Sequence, residues 1–150
     1  KQESHNKENH ISIQLQPTDK KDNQGNPLYA GDTEALIIVS DEYAGIQSIE
    51  WSVIAPNNAD RNKTDSVNVA SDGTLDKDTW EVVKTDHNLV TEVKASIPIT
   101  HNSNNITIKV LITDNAGNTS EQQVKLSIDK TAPDIQITFD GKTSDTTCPL

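Results

Sequence analysis

The chain has 150 residues, of which 32% are apolar and 3% aromatic, and its 13 basic and 23 acidic residues give a formal net charge of −10 at pH 7. This length suffices for one domain with a single core. The negative charge disfavours nucleic-acid binding, because contacts to phosphates require clustered Lys and Arg. No apolar run approaches the roughly 20 residues that span a bilayer, so membrane insertion is not expected.

The first third of the chain contains two segments typical of strands. Residues 1–10 are almost entirely polar and are expected to form a flexible leader. Residues 11–15 alternate apolar with polar side chains, and residues 35–39 form a denser apolar strand. Between these strands, a turn-rich connection is predicted to return briefly to the core at Leu28 and Tyr29.

The middle of the chain contains the most regular alternation. Ile49, Trp51 and Val53 are separated by polar residues, which places the three side chains on one face of a strand. We expect Trp51 to be the largest side chain of an otherwise aliphatic core. Residues 66–70 are predicted to form a short edge strand.

Four further strands are predicted in the second half. Residues 80–85 and 93–99 form one pair, and Pro98 indicates that the second strand ends there or lies at an edge, because proline has no N–H to donate. Residues 106–112 and 124–128 alternate on either side of a Gly- and Asn-containing loop and are typical of a hairpin.

The whole pattern predicts an all-β protein. No stretch shows the apolar spacing of an amphipathic helix. Short β-branched segments separated by turn residues are typical of an antiparallel β-sandwich. We therefore expect a sandwich of about seven to eight strands.

The sequence does not assemble a catalytic site. Its four histidines lie in polar segments without an H-x-x-x-H spacing and are expected to be solvated: His5, His10, His87 and His101. No G-x-S-x-G, phosphate-binding glycine loop or H-E-x-x-H motif occurs. The acidic residues are scattered through turns, where they cap and solvate. We therefore expect that the chain is not an enzyme.

Three stretches resemble the bacterial immunoglobulin-like (Big-type) repeats of surface proteins, adhesins and multidomain secreted hydrolases. Residues 40–46 (S-D-E-Y-A-G-I), followed by the Trp51 strand, resemble the loop and third strand of such repeats. Residues 106–118 resemble the penultimate strand with its D-x-A-G-N turn. Residues 127–133 (S-I-D-K-T-A-P) resemble the boundary between two repeats.

The resemblance implies an immunoglobulin-like sandwich over residues 11–130. It also implies that residues 131–150 contain a linker and, at 134–139, the first strand of a truncated following repeat. The alternative is that this strand completes the same domain. The function that the resemblance implies is that of a non-catalytic spacer, stalk or adhesion module of a bacterial cell-surface or secreted protein. Its partners would be neighbouring domains of the same chain.

The alternative function is an accessory module that binds carbohydrate or a host ligand and belongs to a larger secreted enzyme or adhesin. Such a site would present exposed aromatic rings, and the candidates are Trp80, Tyr43 and Tyr29. A solvent-exposed Trp80 beside Tyr43 or Tyr29 would favour binding. A Trp80 that packs inward would favour the spacer.

No cofactor is expected, apart from a structural Ca²⁺ at a domain boundary. Calcium takes six to eight oxygen ligands, which loops rich in Asp and Asn can supply. In an immunoglobulin-like sandwich Asp41, Glu42 and Asp114 would lie at one end, and Asp129 and Asp134 at the other. A boundary calcium would combine the outgoing linker of one repeat with the loops of the next. The alternative is that these carboxylates are solvated turn residues.

Overall fold

The structure is a computed structural model that describes residues 9–131. In this part of the chain nine strands form two packed sheets, which confirms the predicted all-β sandwich. The strands are β1 (His10–Leu15), β2 (Leu28–Tyr29), β3 (Thr33–Ser40), β4 (Ile46–Ile54), β5 (Lys63–Asn68), β6 (Glu81–Asp86), β7 (Leu89–Ile99), β8 (Ser103–Asp114) and β9 (Thr119–Ile128). Apart from one 3₁₀ turn at Ala59–Arg61, this range contains no helix, and therefore none able to cross a membrane.

The two sheets have four and five strands. The strand order is β1-β3-β7-β6 in the four-stranded sheet and β2-β9-β8-β4-β5 in the five-stranded sheet. Alternate residues of each strand face the space between the sheets, as the period of two predicts. Ile37 and Ala95 pair across the first sheet and Trp51 and Val110 across the second, and all four are buried.

The core is almost entirely aliphatic. Trp51 is buried on the inward face of β4, as predicted, and Ile108 and Val110 on β8 are completely buried. Each such large side chain contributes about 1.5–3 kcal/mol when it is fully removed from water. These contacts, made by residues distant in sequence, hold the two sheets together.

Pro98 lies where the sequence predicted an edge. β6 pairs with β7 only as far as Lys94, so the rest of β7 has a partner on one side alone, where Pro98 lies opposite Glu34 of β3. The backbone nitrogen of Pro98, which carries no hydrogen, therefore faces the unpaired side of β7, and the hydrogen bonds between β3 and β7 are not interrupted.

One pairing differs from the predicted antiparallel arrangement. The two-residue strand β2 pairs with β9 in parallel, with Leu28 opposite Ser127 and Tyr29 opposite Ile128. After β1 the chain folds back through residues 16–27, crosses to the other sheet and resumes its original direction. The second sheet is therefore mixed.

The sandwich has two ends, which we call the N-terminal and C-terminal poles. His10 at the start of β1 pairs with Ser40 at the end of β3, and Ile128 at the end of β9 pairs with Ser103 at the start of β8. The described chain therefore begins at one pole and ends at the other. The N-terminal pole comprises the loops at residues 41–45, 87–88 and 115–118, and the C-terminal pole comprises residues 16–27, 55–62, 100–102 and 129–131.

β1 begins at His10, one residue before the first strand that the sequence predicted at residues 11–15. Residues 1–8, the linker beyond Thr131 and the predicted strand at 134–139 lie outside the described residues.

Candidate functional site

The three candidate aromatic residues are not brought together. Trp80 is only 4% exposed, and its indole Nε1 has no hydrogen-bond partner among the described residues. Tyr43 is 58% exposed at the N-terminal pole. Tyr29 lies on β2 at the C-terminal pole and donates its hydroxyl hydrogen to the carbonyl of Gln16 at 2.6 Å. The structure therefore presents two separate tyrosines and no exposed tryptophan.

Tyr29 borders an open groove of about 500 Å³. The groove is lined by Gln16, Tyr29, Asp32, Thr33, Glu34 and Pro98. The Oγ1 atom of Thr33 is buried there without a partner among the described residues. This groove combines one aromatic ring with carboxylates and a hydroxyl.

At the N-terminal pole, Asp41 organises the loop between β3 and β4. Its amide donates to the carbonyl of Thr91 at 2.9 Å. Its Oδ1 accepts hydrogen bonds from the amides of Tyr43 at 3.1 Å and Ala44 at 3.0 Å. A carboxylate that accepts backbone N–H groups in this way fixes a tight turn.

The facing loop is organised by Asp114. Its Oδ1 accepts from the amides of Ala116 at 3.0 Å and Asn118 at 2.8 Å. Asn115 then joins the two loops, because its amide donates to the carbonyl of Gly45 at 3.0 Å. Gly45 has φ +80°, and a Cβ there would lie 3.0 Å from Asn115 Nδ2, so this position requires glycine.

Asp41 and Asp114 form a buried carboxylate pair. Both residues are 0% exposed, and they lie close enough for each to influence the pKa of the other. Asp41 Oδ2 meets no N–H or hydroxyl donor within residues 9–131. Two ionised carboxylates repel each other, so this proximity disfavours ionisation of both groups at once.

The environments of the two carboxyl groups make Asp41 the more readily protonated of the two. Burial, with a smaller contribution from neighbouring Asp114, raises the pKa of Asp41 to about 6. For Asp114 burial acts in the same direction, but hydrogen bonds from Asn118 and Asp41 outweigh it and lower the pKa. The pair therefore titrates as one unit.

A second copy of the same loop motif lies at the C-terminal pole. The sequence D-N-x-G-N occurs at residues 22–26 and 114–118. In both copies the Asp Oδ1 accepts from the amides two and four residues later. In the first copy Asp22 Oδ2 accepts from the hydroxyl of Ser127 at 2.5 Å.

The candidate calcium ligands at the N-terminal pole supply few oxygens. Asp41 and Asp114 meet there as predicted, whereas Glu42 is exposed. Two carboxylates with hydrogen-bonded oxygens fall short of six to eight ligands. Further oxygens from outside the described residues would be required.

The candidate ligands of the other end are separate. Asp129 lies at the C-terminal pole, where its Oδ1 accepts from the amide and hydroxyl of Thr131 at 3.0 and 2.7 Å. Asp134 lies outside the described residues. Residues 9–131 contain no group of three or more His, Cys, Asp or Glu side chains placed to hold a metal ion. A calcium ion at a domain boundary stays a prediction.

The expectation that the histidines are solvated is wrong for His101. His87 is exposed, with 94% of its side chain accessible, whereas His101 is 1% exposed. The signal was present in the sequence, because the inward alternation of Ile97 and Ile99 continues to His101. Because the residues around His101 are polar, the sequence predicts a loop in this segment, and the continued alternation was missed.

No protein-family model matches the chain, and a search of curated proteins found no match to it.

Proposed function

We propose that the chain is a non-catalytic, immunoglobulin-like spacer or adhesion module of a bacterial cell-surface or secreted protein. The strand order supports the immunoglobulin-like assignment. β1, β3, β7 and β6 correspond to the A, B, E and D strands of that fold, and β4, β8 and β9 correspond to C, F and G. The D-x-A-G-N and D-K-T-A-P stretches support a bacterial repeat.

One observation carries the spacer proposal: the described chain begins and ends at opposite poles. β1 starts beside Ser40, and β9 ends beside Ser103. A strand of ten residues spans about 33 Å, so each module would separate its neighbours by at least that distance. This geometry suits a protein that presents another domain away from a surface.

The parallel pair β2–β9 would carry load in such a role. The amide of Ser127 donates to the carbonyl of Pro27, and the amide of Asp129 donates to the carbonyl of Tyr29, both at 2.9 Å. Tension from the two poles acts first on β1, which is paired with β3, and once β1 detaches it pulls β2 and β9 in opposite directions along their common axis. The interstrand hydrogen bonds then resist in shear, and several must break together.

Single-molecule pulling on tandem copies of the full chain tests this proposal. Asp129→Pro removes one of the sheared N–H groups. Asp129→Ala is the matched control, because both substitutions remove the Asp129 carboxylate but the alanine keeps the amide. We expect a distinct unfolding force for the parent chain and the alanine variant, and a lower force for the proline variant. Equal forces in the two variants, or no resistance in the parent, would contradict the mechanical role.

A ligand-binding module is the second candidate, and the groove beside Tyr29 favours it. A ring flanked by hydrogen-bonding groups suits a sugar, whose apolar face stacks on aromatic carbons while its hydroxyls find partners. NMR titration with bacterial cell-wall and host oligosaccharides tests this alternative. Shifts confined to Tyr29, Thr33 and Glu34, abolished by Tyr29→Ala, would support it. An unchanged spectrum with every probe would leave the spacer as the function.

A further inference from the structure

His101 joins two loops at the C-terminal pole through a defined tautomer. It lies in the turn between β7 and β8, and its Nε2 is 3.1 Å from Asn62 Oδ1. The same oxygen accepts the amide hydrogen of Ala55 at 2.9 Å. Because this oxygen only accepts hydrogen bonds, Nε2 carries the imidazole hydrogen.

The other ring nitrogen, Nδ1, is buried and carries a lone pair instead of a hydrogen. It has no hydrogen-bond partner among the described residues. A second proton on this buried atom would create a cationic N–H without an acceptor among the described residues, which is costly inside a protein. Protonation of His101 in its present position is therefore disfavoured.

The surrounding charges act in the same direction. Burial has the largest effect in lowering the pKa of His101, and nearby Lys63, Arg61 and Lys130 lower it further, while Asp60 opposes them. The charged groups around His101 come from three elements: Asp60 and Arg61 from the 3₁₀ turn, Lys63 from β5, and Lys130, which is paired with Asp32, from the segment after β9. An imidazolium here would add to a positive cluster.

The loops around His101 also hold the chain where it leaves the sandwich. The amide of Asn102 donates to Asn58 Oδ1 at 2.8 Å, and the amide of Lys130 donates to Asn102 Oδ1 at 3.0 Å. The Lys130 ammonium donates to the carbonyl of Thr100 at 2.8 Å. Movement of the β7–β8 turn would therefore release the segment after β9 as well.

We propose that His101 is an acid-sensitive latch: when neutral it locks the C-terminal pole, and uptake of a second proton at Nδ1 opens this pole while the rest of the sandwich remains folded. The imidazolium reaches water only if the ring leaves its pocket, which breaks the bond to Asn62. The latch depends on contacts within the described residues and is independent of the proposed spacer role.

Hydrogen exchange measured by NMR on the full chain between pH 7 and pH 5 tests the latch. The open state has an ordinary histidine pKa, so its population should rise by up to about tenfold per pH unit below about 6.5. We expect the amides of Ala55, Asn102 and Lys130 to lose protection accordingly, after correction for intrinsic exchange. Amides in the centre of β8 should change little. Uniform loss of protection along the chain would contradict a local latch.

Two variants separate titration from packing. His101→Gln retains an N–H donor near the Nε2 position but cannot take up a proton, so its exchange pattern should not depend on pH in this way. Asn62→Asp places a carboxylate against Nε2 and should raise the pKa of His101 and reduce the acid-induced opening. The same acid-induced opening in His101→Gln would overturn the proposal. Imidazole ¹⁵N shifts that place the neutral proton on Nδ1 would also overturn it.

Discussion

Asp41 and Asp114 differ in what each carboxyl oxygen can accept, although both are buried. Asp41 Oδ1 binds two backbone amides, and its Oδ2 is buried without a hydrogen-bond partner among the described residues. Asp114 Oδ2 also accepts from the side-chain amide of Asn118 at 3.3 Å. A donor is therefore needed on Asp41 and is already present beside Asp114.

This difference predicts that the two isosteric substitutions have unequal effects. Asp41→Asn replaces a buried carboxylate that is mostly ionised at pH 7, beside Asp114, with a neutral amide, and we expect it to raise the free energy of unfolding at pH 7 by about 1–2 kcal/mol. Asp114→Asn brings an N–H₂ group against the Asn118 amide, and should be the less stable of the two. Urea denaturation measures both. Equal effects of the two substitutions would contradict the unequal environments of the two carboxyl groups.

The pH dependence of stability shows whether protonation of each carboxyl group stabilises or destabilises the fold. Folded Asp41 holds its proton more tightly than the unfolded chain does, so its contribution to stability is full below pH 3.8 and is lost as the pH rises to about 6. Asp114 has a lowered pKa, and its contribution is lost below pH 3.8. Asp41→Asn should abolish the loss of stability between pH 3.8 and about 6. The free energy of unfolding of the variant should be compared with that of the parent at each pH, because His101 lowers stability as the pH falls below 6.5.

At the level of elements, the two D-N-x-G-N loops depend on partners supplied by other strands. Ser127 on β9 donates to Asp22 and accepts the amide hydrogen of Asn105 at 3.1 Å. Ser127 is 0% exposed, and Ser127→Ala leaves both groups without this partner. We expect a loss of about 1–3 kcal/mol in the free energy of unfolding, measured by urea denaturation.

A control on the same strand isolates the hydrogen bonds of Ser127. Ser120 lies on β9 at the opposite pole and is half-buried. Ser120→Ala should change stability by less than about 0.5 kcal/mol. An equally small effect of Ser127→Ala would mean that water replaces the hydroxyl and that the loop at residues 22–26 is held by its internal bonds.

The strands could be predicted because alternation is a local property of the chain. The inward faces of β3, β4 and β8 follow directly from the period of two, which also located Trp51 in the core. Continuing the period would have placed Trp80 beside Val82 on the inward face of its strand, and His101 beyond Ile99. The raised pKa of Asp41 could not be predicted, because it depends on the register of β4 against β8 and on which oxygens remain without donors.

For the molecule as a whole, net charge opposes folding more than ion pairs support it. The ion pairs between described residues are largely exposed, and each contributes about 0–1 kcal/mol. They join Lys77 to Asp65, Lys84 to Glu92, Lys109 to Glu121 and Lys130 to Asp32. The chain retains a formal charge of −10, and compaction brings these like charges together.

Salt should therefore stabilise this protein. At 0.1 M ionic strength the Debye length is about 10 Å, so repulsion between surface carboxylates is largely screened. We expect the Tm at pH 7 to rise by about 2–4 °C for each kcal/mol of repulsion removed as NaCl increases from low concentration.

Glu81→Gln, which removes an exposed carboxylate from β6, should raise the Tm at low salt, and Lys109→Gln should lower it. Both differences should shrink at high salt, and a Tm that falls with NaCl would show that ion pairs dominate instead. Exchange of NaCl for CaCl₂ at equal ionic strength separates screening from specific calcium binding, because only bound calcium adds a further rise.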